Sequence, residues 1–349
     1  MSIIQEIKAE EKERWNTIVR SFADYDVFYL NEYVTAFMQE NKSNGEPVLL
    51  CYENGSSKAV NVVFRRDIAF DDKLKGKLEP GRYFDLISPY GYGGFWGLIE
   101  DYEDLNRCYN EYCFLNHYIC EFVRFELFGD YYKHYDGEVE SRTHNVVRSL
   151  EMPMDKMWMD FKQKVRKNVN RANKNNLDII IENTDEHLPE FLDIYYSTMD
   201  RSNAEEGYYF SKQFFEIINQ MRENIMYFHV LYENKIISTE LVIYGAKNAY
   251  SYLGGTNRDY FDLRPNDFLK YEIIKWAKEK GLKNFVLGGG YGADDGIFQY
   301  KTCLAPNGIV DFYIGRKVFD KSGYDKLTEL RTKDNPDCLS SGYFPKYRA

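Results

Sequence analysis

The chain has 349 residues, and its 44 % hydrophobic and 29 % charged residues exclude a wholly disordered protein. That length is enough for about two domains. With 45 Lys and Arg against 55 Asp and Glu the net charge is −10, the wrong sign for general attraction to nucleic-acid phosphates. No apolar run reaches the ~18 residues of a membrane helix. The charged start MSIIQEIKAEEKERW has neither the apolar core nor the cleavage site of a signal peptide, so a cytoplasmic location is expected.

Residues 8–20 and 26–41 read as helices, the second with Phe28, Tyr33, Phe37 and Met38 at helical spacing. Residues 47–70 read as a β-hairpin turning at Asn54-Gly55, with Val60, Val62 and Phe64 alternating. A strand beginning at 82 runs into the loop SPYGYGG (88–94), rich in glycine and tyrosine. Residues 101–118 then read as helix and 122–128 as strand. VVRSLEMP (146–153) reads as the exit from a first domain. A basic helical stretch (155–175), a strand (177–183) and helices near 186–200 and 211–223 follow. Within 227–256 the pattern gives three strands, turning at Glu233-Asn234-Lys235 and at Gly245-Ala246-Lys247-Asn248. Residues 265–290 read as a helix capped by Asn266 or Asp267 and ended by Gly281, then a buried strand. A last strand is expected at 311–319. The expected fold is α/β with mixed sheet, in two domains (1–150 and 151–325) followed by a tail (326–349).

The chemistry-bearing residues are few. The six cysteines form no CxxC pair, and the five histidines show no HxxxH or HExxH spacing. Reduced thiols and no metal are therefore expected. No catalytic-cysteine signature surrounds Cys303, and there is no GxSxG. On the basic helix, Lys164, Lys167, Arg171 and Lys174 share one face. They form either a phosphate-binding rail or a solvated face. LGGGYGADDG (287–296) places Gly288, Gly289 and Gly290 at a strand end, where bare N–H groups approach a ligand or make a tight turn. It lacks the GK[ST] of a P-loop and the position of a dinucleotide fingerprint. Tyr90 and Tyr92 flank Gly91 and suit either stacking on a sugar or base, or packing in a surface loop. Arg201, Tyr208, Tyr209, Tyr252 and Lys301 carry no signal one at a time.

Taken together, KVRKNVNRANKNNLDIII, IYYSTMDRSNAEEGYYFSKQFF, YSYLGGTNRDYFDLRPNDFLKYEIIKWAKEKGLKNFVLGGG and FQYKTCLAP occur in an order that resembles the C-terminal half of the Fem family of peptidoglycan aminoacyltransferases and its FemAB-like relatives. The likeness covers most of 150–320, and SPYGYGG is similar to the family's first-domain loop. It implies two tandem acyltransferase domains of the GNAT superfamily. It also implies transfer of an amino acid from aminoacyl-tRNA to an amine of a UDP-linked or lipid-linked muropeptide, with no tightly bound cofactor. By resemblance Lys301, in the family's Phe-Lys position though preceded here by Tyr300, and Tyr252 are catalytic. Lys164, Lys167, Arg171 and Arg201 would face phosphates or carboxylates. Tyr208 and Tyr252 would line a cleft between the domains, and Tyr209, Tyr90, Tyr92 and Gly288–Gly290 would contact substrate. The family's long helical arm, a tRNA contact, is missing from 184–226. NRDYFDLRPND also lacks the glycines of an acyl-CoA pyrophosphate loop. An acyl-CoA or carrier-protein thioester donor, or a non-catalytic binding protein, are the alternatives. Monomer and dimer are both compatible with the sequence.

Overall fold

The computed structural model describes residues 3–40, 45–290 and 295–349. The chain forms two compact units. Unit 1 comprises Met1–Phe22, Phe28–Arg142 and Phe312–Ala349; unit 2 comprises Ala23–Val27 and Thr143–Asp311. Where a C-terminal domain of 151–325 and a tail were expected, the chain after Asp311 packs with unit 1.

In unit 1 the order is β1 (Ile3–Lys8), α1 (Lys12–Arg20), α2 (Asn31–Glu40), β2 (Glu46–Asn54), β3 (Ser57–Asp67), β4 (Phe84–Ile87), β5 (Trp96–Leu98), α3 (Tyr102–Leu115), β6 (Tyr118–Arg124) and α4 (Tyr131–His134). β7 (Glu138–Ser149) follows and crosses into unit 2. The sheet runs β1-β2-β3-β4-β6, with β5 beside β3. The β2–β3 hairpin is in register from Glu46↔Arg65 to Asn54↔Ser57, so Asn54 closes the strand and Gly55-Ser56 makes the turn. Gly55, at φ +60°, takes the left-handed backbone that this tight turn needs. The helix expected over 8–20 is α1, which starts at Lys12, and β1 precedes it with Ile7 fully buried.

Unit 2 continues with α5 (Met154–Asp160), α6 (Gln163–Lys174), β8 (Asp178–Glu182), α7 (Leu188–Ser202), α8 (Lys212–Ile218), β9 (Ile225–Tyr232), β10 (Lys235–Tyr244), β11 (Asn248–Thr256), α9 (Pro265–Glu279), β12 (Asn284–Gly288) and α10 (Gly296–Leu304). β13 (Ile309–Val318) and α11 (Lys321–Thr332) carry the chain back into unit 1, where β13 pairs antiparallel with β6. The unit 2 sheet runs β7-β12-β11-β10-β9-β8. β11 and β12 are parallel and the other neighbouring pairs are antiparallel, which is the expected mixed sheet. α6 packs its Val165, Val169 and Ala172 stripe into the core beside α9, which buries Phe268, Leu269, Ile273 and Ile274. No helix among the described residues exceeds 15 residues, and none is long and apolar enough to cross a membrane.

Two local expectations change. α9 is not capped by Asn266 or Asp267: it starts at Pro265, with Arg264 as its N-cap in the left-handed region at φ 63° and no side-chain cap. Proline suits that first position because its missing N–H has no helical partner anyway. At the other end Gly281, at φ +83°, follows the cap as expected. Within LGGGYGADDG, residues 291–294 lie outside the described residues.

Candidate functional site

The sheet of unit 2 is opened by its own pairing. The β11–β12 ladder runs from Asn248↔Asn284 to Tyr250↔Val286 and stops, while β11 continues to Thr256. On its other side β11 pairs with β10, and the register slips between Leu241↔Leu253 and Val242↔Ser251. Tyr252 is therefore the extra residue of a β-bulge, a device that bends a strand and re-aims a side chain. Beyond the last β11–β12 pair lies a cavity of about 460 Å³. Its walls are Thr198 and Arg201 of α7, Thr239 and Glu240 of β10, Ser251–Thr256 of β11, and Phe261, Arg264–Asp267 and Lys270 around the start of α9.

Glycines let β11 approach α7 on one side and β10 on the other. A Cβ on Gly255 would lie 2.2 Å from Thr198 Oγ1, and one on Gly254 would lie 2.4 Å from the Thr239 carbonyl oxygen. The first turn of α9 offers N–H groups that no side chain caps. A helix start of that kind attracts an anion. Asp267 sits in the same turn, buried at 8 % exposure, and accepts from Asn168 Nδ2 at 3.0 Å. Burial raises its pKa, opposed by Asn168, Arg264 and Lys164.

The strongest electrostatic feature was not singled out in the sequence. Lys270 Nζ is 2.5 Å from Glu240 Oε2 and 2.6 Å from Ser251 Oγ. Glu240 is 4 % and Lys270 8 % exposed, and Glu240 Oε1 is a buried acceptor with no hydrogen-bond partner. Lys301, on α10, donates from Nζ to the Gly289 carbonyl at 2.6 Å. Burial, then the like charge of Lys270, pull its pKa down from 10.5 to about 8, against the pull of Glu240 and Asp295. Two lysines and one carboxylate thus form a single electrostatic cluster. The buried Tyr300 hydroxyl has no hydrogen-bond partner. Its own burial, and then Asp267 and Glu240, hold its proton on.

Of the residues singled out in the sequence, Arg201 and Tyr252 line the cavity; Lys301 is not among its lining residues but is coupled by charge to Lys270 and Glu240, which are. Arg201 lies over the Phe261 ring at 5.2 Å. Gly288, Gly289 and Gly290 let strand and helix approach each other. A Cβ on Gly288 would be 3.3 Å from Lys301 Nζ, on Gly289 2.9 Å from the His144 oxygen, and on Gly290 2.6 Å from Asp295 Oδ2. Tyr208 and Tyr209 do not line the cavity. The Tyr208 carbonyl accepts from Tyr195 Oη, and Tyr209 Oη donates to Asp200 at 2.9 Å. Lys164, Lys167 and Arg171 are exposed on α6, and Lys164 acts electrostatically on Asp267. In unit 1, Tyr92 is a packing residue, 9 % exposed and edge-on to Phe28 at 5.1 Å and Phe312 at 5.7 Å. Tyr90 is 46 % exposed and its carbonyl accepts from Tyr33 Oη at 2.7 Å. A signal for the missed pair was present: Glu240 stands in the apolar run IISTELVIY, and Lys270 on the apolar face of α9. Opposite charges on two buried faces predict each other.

Comparison with known proteins agrees with this geometry. Residues 159–302, which contain the cavity walls and Lys301, match the Acetyltransferase (GNAT) domain family. A lipid II:glycine glycyltransferase of Staphylococcus haemolyticus (strain JCSC1435) is 34 % identical over 82 residues. That stretch is 24 % of this chain and 20 % of the relative, so the match spans about a fifth of the relative's length. The crystal structure of FemX superposes with a TM-score of 0.66 at 12 % identity, over 93 % of this chain and 99 % of FemX. The C-terminal domain of a putative lysylphosphatidylglycerol synthetase from Agrobacterium fabrum gives 0.55 at 13 % identity, over 93 % of this chain and 96 % of that domain. The fold is therefore that of the FemX structure, with a GNAT acetyltransferase domain matched over residues 159–302.

Proposed function

We propose that this FemAB-like GNAT protein is an acyltransferase that moves an aminoacyl group from aminoacyl-tRNA to an amine of a cell-wall muropeptide. The observation that carries the reading is the buried Glu240 carboxylate, with one oxygen free and lysines beside it, in the wall of the cavity at the sheet opening. Attack of an amine on an ester needs a neutral nucleophile held in place and a stabilised oxyanion. In this reading Glu240 Oε1 takes the proton of the attacking amine and returns it to the leaving hydroxyl. The N–C bond forms as the ester C–O bond breaks. The Lys301 ammonium holds the oxyanion, and Arg201 at the cavity wall meets a phosphate or carboxylate of the acceptor. The lipid II acceptor in the relative's name is the source of the muropeptide class. Rates that need charged Lys301 fall as pH rises through about 8.

A thioester donor is the second reading. It is favoured by the match to an acetyltransferase domain and by the uncapped start of α9 in the cavity wall. Calorimetric titration separates the two. Saturable binding of a UDP-linked muropeptide, weakened in Arg201→Ala and not reproduced by acetyl-CoA, supports the first. Binding of acetyl-CoA without the muropeptide replaces it by the second.

A further inference from the structure

Two histidines and a glutamate outside this reaction meet at the edge of the unit 2 sheet. Glu182 ends β8, His187 immediately precedes α7, and His229 lies on β9. His187 Nδ1 is 3.1 Å and His229 Nε2 3.5 Å from the same oxygen, Glu182 Oε1. The ligand-capable atoms of all three lie within 4.8 Å of one another. Tetrahedral zinc, with ligands at about 2.0–2.1 Å, needs donors about 3.3 Å apart.

His229 supplies the second observation. It is fully buried, and its Nε2 has no hydrogen-bond partner although it is aimed at this cluster. Its other nitrogen, Nδ1, is 2.8 Å from Thr239 Oγ1. With the proton on Nδ1 and donated to Thr239, Nε2 turns a bare lone pair towards a carboxylate. In that tautomer the Nε2 lone pair faces the Glu182 carboxylate, an arrangement that a cation between them relieves. Ligating histidines are commonly held this way, with the second nitrogen fixed by an outer hydrogen bond.

We propose that Glu182, His187 and His229 bind a divalent cation of the zinc class. Two imidazoles and one carboxylate suit zinc better than magnesium or calcium, which prefer all-oxygen shells. Three protein ligands leave a fourth position open. The ion ties the edge strand β8 and the inner strand β9 to the start of α7. The far end of α7 carries Thr198 and Arg201 into the cavity wall, and Thr239 belongs both to that wall and to the outer shell of the metal.

The test uses the full-length, tag-free protein, stripped with chelator and titrated with zinc and with cobalt(II) as a visible reporter. One ion per chain is expected. The cobalt bands should lack thiolate charge transfer. Binding should be lost in His187→Ala and in Glu182→Gln, whose circular dichroism stays that of wild type. Thr239→Val should weaken binding about 10–100-fold. Failure of wild-type protein to take up either metal at micromolar concentration overturns the proposal, as does undiminished uptake by folded His187→Ala and Glu182→Gln.

Discussion

Replacing Lys301 by Met should slow transfer by orders of magnitude and stabilise the protein at the same time. The lysine is held at a pKa of about 8 instead of 10.5 by burial and by Lys270. At about 1.36 kcal/mol per pH unit, carrying its charge at pH 7 costs the folded state about 3 kcal/mol. Met keeps the length of the side chain and removes the charge. It also leaves the Gly289 carbonyl, now accepting at 2.6 Å, without its donor. That loss costs about 1–3 kcal/mol, so a net gain of about 1 kcal/mol is expected at pH 7. Because the folded pKa is lowered, the unfolded chain binds more protons between about 8 and 10.5, and wild-type stability rises across that window. The advantage of Lys301→Met should therefore shrink and reverse by about pH 10. Urea unfolding of both proteins at pH 7, 8, 9 and 10 measures it. A variant less stable at pH 7 by the same amount at every pH refutes the argument that a costly charge is kept there. In a transfer assay, loss of one oxyanion-stabilising group corresponds to about 10²–10³-fold in rate.

Gly255→Ala would put a Cβ 2.2 Å from Thr198 Oγ1 and 2.9 Å from the Ile194 oxygen. It should cost about 1–3 kcal/mol and lower the denaturation midpoint, and an unchanged midpoint would show that α7 can move away freely. Tyr92→Ala, at a packed site, should cost about 3–5 kcal/mol, whereas Tyr90→Ala, where the ring is 46 % exposed, should cost about 1 kcal/mol; equal losses would contradict the division between them. If α6 holds a nucleic-acid phosphate, Lys167→Ala and Arg171→Ala should each reduce the salt slope of tRNA binding by about 0.9 and change stability by less than about 0.5 kcal/mol. An unchanged slope makes this basic face a solvated surface.

Elements whose sequence signals are local were legible. The three strands β9, β10 and β11, the helix α9 with its Gly281 stop, and the basic helix α6 all follow from periodicity and turn residues. What depends on distant pairing was not. The β-bulge at Tyr252 is set by register against β10. The Glu240–Lys270 pair joins a strand to a helix 30 residues away; each residue stands out as a charge on an apolar face, but that they meet depends on how α9 packs on the sheet. Tyr92 shows the converse: a tyrosine between glycines suits a ligand and a packed loop equally, and only the rings of Phe28 and Phe312 decide it. Asn266 and Asp267 fit a capping rule, but α9 starts at Pro265 with Arg264 as its N-cap, two or three residues earlier. Histidine spacing along the chain gave no sign of the His187–His229 cluster, because β8–β9 pairing sets Glu182 beside His229 and the start of α7 brings His187 to them.

The central claim is aminoacyl transfer to an amine, and mass measurement of the acceptor tests it most directly. A UDP-linked muropeptide is incubated with the protein and a mixture of aminoacyl-tRNAs, and in parallel with acetyl-CoA. The account predicts that the muropeptide gains the mass of an amino-acid residue in the first mixture, that it is unchanged in the second, and that Lys301→Met forms the product orders of magnitude more slowly. An acetylated muropeptide with acetyl-CoA and none with aminoacyl-tRNA would contradict it.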